Sequence, residues 1–152
     1  MLDIPIDLPP MVDLTPGLLD TCVLYASKKF EVNTLVIRSI VEVEGGKIGT
    51  VSKNSNGTYD LGVMQINTIH LKDIARKYPG VGWQELAYKP CINIAVATWI
   101  LKKRISETDD YWRGVGNYHS KTRKYHDIYL SKIVKVYRRI RAQAIFQNKV
   151  TR

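Results

Sequence analysis

A carboxylate placed where a helix should bury its apolar side is the feature that most constrains how this sequence folds. Glu44 follows Ile37 by seven residues and Ile40 by four, so the three side chains share one face of an α-helix. The pair Gly45-Gly46 then ends that helix. Desolvation and the negative end of the helix dipole both disfavour a charged carboxylate there. The sequence therefore predicts a raised pKa for Glu44, as a general acid requires.

Two simpler explanations of Glu44 stay open from spacing alone. A buried Lys or Arg would pair with the carboxylate, or a shifted helix boundary would leave it exposed to solvent. Nearby, Glu42 points roughly the opposite way and lies four residues after Arg38. We expect these two side chains to form an ordinary exposed ion pair.

Length and composition indicate one globular domain. The chain has 152 residues, 45% of them hydrophobic and 24% charged. It contains no apolar run of the roughly 18 residues that a membrane span needs. Residues 1–16 hold four prolines and are expected to form an extended lead-in. We expect the folded domain at residues 17–147 and a basic tail at residues 148–152.

Capping residues and apolar periodicity predict a mainly helical α+β fold. Thr15 and Asn33 are suited to begin the first two helices. Asn56-Gly57 is a strong hairpin signal, so a small β element is expected around it. The helices predicted in this way cover about residues 16–30, 34–44, 69–77, 91–105 and 124–147. The fourth of these is apolar nearly all round, which is typical of a buried central helix.

Positive charge is concentrated at the C-terminal end of the sequence. Residues 121–152 carry ten Lys or Arg and one acid, whereas residues 1–120 carry thirteen of each sign. This excess favours attraction to an anionic polymer such as cell wall, nucleic acid or a membrane surface. A solvated helix face is the alternative. No nucleic-acid-binding motif accompanies the charge, so we expect no nucleic-acid partner.

The other titratable residues suggest neither metal chemistry nor a nucleophile. His70, His119 and His126 share no metal-ligand spacing, and the HExxH motif is absent. We therefore expect no metal and no other cofactor. Nothing in the sequence points to a Ser-His-Asp or Cys-His system.

Several motifs in a fixed order give the sequence a family resemblance. They are Glu44-Gly45, Asn56-Gly57-Thr58-Tyr59-Asp60-Leu61-Gly62-Val63-Met64-Gln65-Ile66-Asn67, Pro90-Cys91-Ile92-Asn93-Ile94, Gly116-Asn117-Tyr118-His119-Ser120, and Tyr129 with Ile133 and Tyr137. With them the chain resembles the soluble lytic transglycosylases. It is most similar to the small members that accompany type III and type IV secretion, conjugation and pilus systems. The resemblance covers about residues 18–137. It implies a lysozyme-like fold with a small β element next to the catalytic helix.

The resemblance also implies roles for individual residues. Glu44 matches the catalytic glutamate of the family. Gln65 and Asn67 match the segment that lines the sugar groove, where amide groups suit N-acetyl and hydroxyl contacts. Met64, in the same segment, is also assigned to substrate binding.

Two tyrosines complete the site that the resemblance implies. Tyr118 matches a tyrosine whose hydroxyl contacts the catalytic glutamate, and Tyr129 matches a second tyrosine near the cleft. Both are assigned to substrate binding. Core packing with a satisfied hydroxyl is the alternative for each.

The implied activity is cleavage of the β-1,4 bond from N-acetylmuramic acid to N-acetylglucosamine in peptidoglycan. In a lytic transglycosylase, Glu44 protonates the leaving oxygen and then accepts the proton of the muramoyl C6 hydroxyl, which leaves a 1,6-anhydro end. In a retaining muramidase, Asp60 would be a second catalytic carboxylate and water would finish the reaction. Asp60 also suits a simple turn beside Asn56-Gly57. A non-catalytic subunit that binds the cell wall is a third alternative.

The remaining expectations concern the cysteines, the compartment and the partners. Cys22 and Cys91 are the only cysteines, and spacing alone leaves them open between free thiols and a bridge. The resemblance implies a disulfide. It also implies an exported protein of the periplasm or cell envelope, although no signal-peptide pattern opens the sequence. The implied partners are peptidoglycan glycan strands and components of a secretion, conjugation or pilus machine, and we expect a monomer.

Overall fold

Seven α-helices and three short strands make up the regular structure of residues 2–150, the part of the chain that the computed structural model describes. In chain order they are α1 (Pro16–Phe30), α2 (Thr34–Glu44), β1 (Val51–Lys53), β2 (Tyr59–Leu61), β3 (Ile66–Asn67), α3 (Leu71–Lys77), α4 (Trp83–Tyr88), α5 (Pro90–Ser106), α6 (Tyr111–Asn117) and α7 (Arg123–Val150). A short 3-10 turn at Thr68–His70 leads into α3. The predicted class, a mainly helical α+β fold with a small β element, is confirmed.

The first two helices begin at the capping residues that the sequence predicts. The Thr15 hydroxyl accepts a hydrogen bond from the Leu18 N–H at 3.3 Å, and the Asn33 side chain accepts one from the Leu35 N–H at 2.7 Å. These contacts satisfy N–H groups that have no partner inside the helix. At its other end, α2 is closed by Gly45 in the left-handed conformation, with φ at 67°.

The three strands form one antiparallel sheet in the order β1-β2-β3. Asn56-Gly57 lies in the turn that joins β1 to β2, as the hairpin signal predicts, and Gly57 has a φ of 86°. The chain then returns so that Asp60 on β2 is directly opposite Asn67 on β3. The sheet thus places a carboxylate and an amide side by side.

Helix α5 is the buried centre of the fold, as its uniformly apolar sequence predicts. It packs against α1, α4 and α6, and the side chains of Ile94, Ala97 and Leu101 are fully buried. A disulfide between Cys22 and Cys91 ties α1 to the first turn of α5. The bridge that the family resemblance implies is therefore confirmed.

Asn93, fully buried on α5, attaches the sheet region to this central helix. Its amide nitrogen donates to the Leu61 carbonyl at 2.9 Å and to the Leu86 carbonyl at 2.8 Å. Its oxygen accepts from the Met64 N–H at 2.8 Å. One side chain therefore satisfies three backbone groups that would otherwise be buried without partners. These hydrogen bonds hold the β2–β3 connection in place against α5.

Two short helices, α4 and α6, were not anticipated from the sequence. They have six and seven residues, too few for apolar periodicity to identify them. Their capping is visible in the structure: the Glu85 side chain accepts from the Gly82 N–H at 2.9 Å, and Asp110 accepts from the Arg113 N–H at 3.2 Å. Helix α4 supplies the Leu86 carbonyl that Asn93 binds.

The N-terminal segment is largely without regular structure, as expected, whereas the C-terminal helix extends further than expected. Residues 2–15 contain no helix and only an isolated β-bridge, between Val12 and Ile48. Helix α7 continues to Val150, so the described part of the expected basic tail is helical. Ile133 is fully buried, while Val136, Tyr137 and Ile140 are half-buried. Met1 and residues 151–152 lie outside the described residues.

No helix between residues 2 and 150 combines the length and apolar character needed to cross a bilayer.

The ion pair expected between Arg38 and Glu42 is not formed. Arg38 contacts Asp20 on α1, and Glu42 contacts Arg139 on α7. Both side chains of α2 thus find partners on helices that pack against it. Helix periodicity identified the two residues as exposed, but the partners depend on tertiary packing that spacing cannot reveal.

Removal of the disulfide is expected to destabilise the protein strongly. The bridge closes a loop of 69 residues, for which loop-closure entropy gives about 4 kcal/mol. We expect urea unfolding of the Cys22→Ala/Cys91→Ala variant to show a loss of that size. Dithiothreitol should lower the stability of the native chain and leave that of the variant unchanged. Equal stability of the two oxidised proteins would contradict the expectation.

Candidate active site

Glu44 is the last residue of α2, at the point where the chain turns towards the sheet. The Gly45 N–H donates to the Val41 carbonyl at 3.1 Å and ends the helix. Gly46 then approaches the turn after β2 so closely that a Cβ on it would lie 2.0 Å from the Gly62 carbonyl oxygen. Because only glycine fits there, the end of α2 contacts this turn directly. Glu44 and the sheet consequently border the same cleft.

The Glu44 carboxyl group is largely withdrawn from solvent, and its pKa is raised to about 7. Burial is the largest cause, and the nearby Asp60 carboxylate adds to it. The Tyr129 hydroxyl, which donates to Glu44 Oε2 at 3.3 Å, acts in the opposite direction. No Lys or Arg between residues 2 and 150 forms an ion pair with Glu44. The raised pKa expected from the helix position is present, without the cation that would cancel it.

Asp60 borders the cleft from the sheet and is held by a hydrogen-bond network. Asn67 Nδ2 donates to Asp60 Oδ1 at 2.9 Å and to Thr58 Oγ1 at 3.1 Å. Asn67 Oδ1 accepts from the Ile69 N–H at 3.0 Å. The amide of Asn67, which the resemblance assigns to sugar binding, is thus occupied by protein partners. In this structure it orients Asp60 and Thr58.

Gln65 adopts an unusual backbone conformation at the edge of the cleft. Its φ is 52°, in the left-handed region that residues with a side chain rarely adopt. Its Nε2 donates to the Gly62 carbonyl at 2.9 Å, which fixes the side chain across the turn. Gln65 borders the cleft, and its side-chain oxygen accepts no hydrogen bond from residues 2–150. Strain of this kind is concentrated at functional sites, which supports the predicted place of Gln65 in the site.

The structure does not bring Met64, which the resemblance assigns to substrate binding, into the cleft. Its side chain is fully buried, and it takes no part in lining the cleft. The hydroxyl of Tyr118 donates to the Met64 carbonyl at 2.9 Å, so its expected contact with Glu44 is replaced by a contact with the turn. Tyr118 still lines the cleft. Met64 and the Tyr118 hydroxyl therefore hold the turn in place, because both are turned towards the backbone and core.

Tyr129 is the tyrosine that contacts the acid. Only 5% of its surface is exposed, and its ring stacks on that of His119 with the ring centres 4.7 Å apart and the planes 14° apart. The pKa of His119 is lowered from its usual value, mainly by burial. The Asp60 carboxylate opposes this shift, and the Lys132 charge adds to it. A neutral imidazole stacked on Tyr129 adds no positive charge that would lower the pKa of Glu44. The two rings fix the position of the hydroxyl.

The cleft between α2 and the sheet has a volume of about 320 Å³. Besides Glu44, Asp60, Gln65 and Tyr118, its walls contain residues that the sequence analysis did not assign to the site: Asn54, Thr58, Ile69, His70, Ile100 and His119. Asn54 and Thr58 belong to the polar hairpin. Such side chains are also typical of turns, so the sequence did not distinguish a site role from a turn role for them. Ile100 comes from the buried helix α5 and carried no signal of its own.

This arrangement suits proton transfer to and from a sugar. A carboxyl group with a pKa near 7 is about half protonated at neutral pH, so it can donate a proton and later accept one. Amide and hydroxyl groups on the facing wall match the hydroxyl and N-acetyl groups of a glycan. Among residues 2–150, no group of three or more His, Cys, Asp or Glu side chains could hold a metal ion.

The raised pKa of Glu44 should make the protein less stable as the pH increases. In the unfolded chain the pKa is 4.5 and in the folded protein it is about 7, so the folded state binds the proton more tightly. Stability is therefore lost as the pH rises from about 4.5 through 7, by about 2–3 kcal/mol. Glu44→Gln should lack this loss, as urea unfolding at pH 4 and pH 8 would measure. Parallel pH dependence in both proteins would contradict the raised pKa.

Comparison with known proteins places the chain in a family. Residues 21–127 match the family model described as "Transglycosylase SLT domain". "Invasion protein IagB" of Salmonella typhimurium (strain SL1344) is 33% identical over 128 residues, which cover 81% of this chain and 79% of that protein. "Protein IpgF" of Shigella flexneri is 28% identical over 129 residues, covering 82% and 84%. "Peptidoglycan-binding-like protein" of Escherichia coli O157:H7 is 29% identical over 129 residues, covering 78% and 77%. The chain belongs to the SLT lytic transglycosylase family.

Proposed function

We propose that this protein is a peptidoglycan lytic transglycosylase in which Glu44 is the single catalytic acid and base. The observation that carries the proposal is the carboxyl group with a pKa of about 7 on the wall of a polar cleft. The substrate is the β-1,4 bond from N-acetylmuramic acid to N-acetylglucosamine. The family match supports the substrate class, and the geometry supports the choice of Glu44.

The reaction needs two proton transfers at one carboxyl group. Protonated Glu44 gives its proton to the glycosidic oxygen while the bond between that oxygen and the muramoyl C1 breaks. The N-acetyl group of the muramoyl residue stabilises the positive charge at C1. The C6 hydroxyl oxygen then bonds to C1, and its proton passes to the Glu44 carboxylate. The products are a 1,6-anhydromuramoyl end and a free 4-hydroxyl on N-acetylglucosamine, and Glu44 is again protonated.

Tyr129 tunes the acid for both steps. A fully desolvated carboxyl group would hold its proton too tightly to act as a base in the second step. The Tyr129 hydroxyl stabilises the carboxylate form and lowers the pKa of Glu44. Burial and this hydrogen bond together leave the group close to neutrality, where donation and acceptance are both accessible. Tyr129 is thus a positioning and tuning residue.

A retaining muramidase is the second candidate, because Asp60 borders the same cleft and acts electrostatically on Glu44. In that mechanism the Asp60 carboxylate would stabilise or trap the cation at C1, and water would complete hydrolysis. The hydrogen bond from Asn67 holds Asp60 in a fixed position, as that role would require. A non-catalytic wall-binding subunit is the third candidate, in keeping with the name of the Escherichia coli relative.

The cellular role that we propose comes from the resemblance to secretion-associated members of the family, and the name of one relative is in keeping with it. That relative is named an invasion protein. A chain of this kind, acting in the periplasm or cell envelope, would open local gaps in peptidoglycan for an envelope-spanning secretion, conjugation or pilus apparatus. Components of that apparatus would be its protein partners.

Digestion of purified sacculi separates the three candidates. Mass spectrometry of the released muropeptides should show 1,6-anhydro ends. Reducing ends would instead indicate hydrolysis, and uncut sacculi would indicate binding alone. Glu44→Gln should reduce cleavage by at least about a thousandfold, since it removes the only proton donor of the mechanism.

Asp60→Asn is the matched control in the same assay. It replaces the second carboxylate with an uncharged amide of the same size. Under the transglycosylase mechanism, we expect it to retain substantial activity and the anhydro product. A loss as severe as that of Glu44→Gln would favour the muramidase. Circular dichroism of both variants checks that the fold is intact.

The pH dependence of the rate should identify the tyrosine that tunes Glu44. The first step needs the protonated acid, so the rate should fall as the pH rises through about 7. Tyr129→Phe removes the hydrogen bond to the carboxylate and should move this alkaline limb to higher pH. Tyr118→Phe, whose hydroxyl bonds the Met64 carbonyl, should leave the limb in place. A shift in the Tyr118 variant alone would reverse the assignment of the two tyrosines.

A further inference from the structure

A second, smaller compartment lies on the α7 side of Glu44. It has a volume of about 170 Å³ and shares Glu44 and His119 with the main cleft. Its lining also includes Tyr125, Ile128 and Lys132. These side chains follow one another at the helical spacing that also contains Tyr129, so all of them lie on one face of α7. A ligand that occupies the main cleft and extends past Glu44 would meet this face.

Lys132 is a cation without an ionic partner in this compartment. It forms no ion pair with any residue between 2 and 150, although other basic residues of α7 do: Arg139 contacts Glu42 and Arg123 contacts Asp127. Lys132 lines the compartment together with His119, and its charge acts on that ring. An unpaired cation at the border of a substrate cleft is available to an anionic group of the substrate.

The apolar part of the compartment is also open to a ligand. Tyr125 is 55% exposed and Ile128 is 51% exposed, on a helix whose neighbouring Tyr129 is buried. The compartment therefore adds two exposed apolar side chains and one positive charge to the Glu44 and His119 side chains that it shares with the main cleft.

The glycan backbone of peptidoglycan has no charge, and the negative groups of the strand are on its peptides. Each peptide is attached to the lactyl group of a muramoyl residue, and it carries small apolar side chains and free carboxylates. We propose that Tyr125, Ile128 and Lys132 form a subsite for this stem peptide, with Lys132 binding one of its carboxylates. The inference rests on the proposed function, since it assigns the substrate's peptide to the same cleft.

The test compares two forms of the same soluble glycan strands. One form carries native stem peptides, and in the other the peptide carboxylates have been converted to neutral amides with carbodiimide and ammonia. We expect the native chain to have a KM about three- to fivefold lower on the charged strands, the size expected for one exposed ion pair. Lys132→Met, which keeps the apolar stem, should abolish this difference and leave kcat unchanged. Lys132→Arg should preserve it.

Lys135→Met is the matched control, because it removes a charge from α7 outside the compartment. It should retain the preference for charged strands, and the preference of the native chain should shrink as salt is added. Equal KM values of the native chain on both strand forms, or loss of the preference in Lys135→Met, would overturn the subsite. If the native chain cuts neither form, the proposed function itself fails. Cleavage of both forms without preference rejects only the subsite.

Discussion

The desolvation of one carboxyl group is the constraint on which the site depends. A glutamate at the end of a helix would normally extend into water. Here Gly46 contacts the Gly62 carbonyl so closely that the end of α2 is packed against the turn of the sheet, and Glu44 is kept from solvent. The glycine is therefore as much a part of the proposed site as the acid. A side chain at residue 46 would separate the two walls and hydrate the carboxylate.

The other side of that contact is fixed by groups that never reach a substrate. The turn after β2 is held by Asn93 from α5 and by the Tyr118 hydroxyl, both of which bind the backbone of Met64. With its two polar groups satisfied, this buried backbone has one stable position. The disulfide at Cys91 fixes the start of the helix that carries Asn93. Because the turn is rigid, Gln65 can keep its strained backbone conformation.

How much of this could be predicted from the sequence depends on how local each feature is. The caps at Thr15 and Asn33 and the Asn56-Gly57 hairpin are local, and they were predicted correctly. Glu44 was identified from periodicity within its own helix. The resemblance implied that Tyr118 contacts Glu44, whereas Tyr129 makes that contact in the structure, because the partner of each hydroxyl depends on tertiary packing. Sequence spacing alone allows the hydroxyl of either tyrosine to contact Glu44.

Charge placement on α7 reflects the same constraint. Under the proposed function, positive charge would attract the chain to an anionic wall, yet a cation beside Glu44 would favour the carboxylate form and remove the proton that the proposed mechanism needs. The structure meets both requirements on one helix: Tyr129 presents a neutral hydroxyl to Glu44, and Arg139 is paired with Glu42. Lys132 lies one turn beyond Tyr129, near His119. None of the ion pairs that the basic residues of α7 form between residues 2 and 150 involves Glu44.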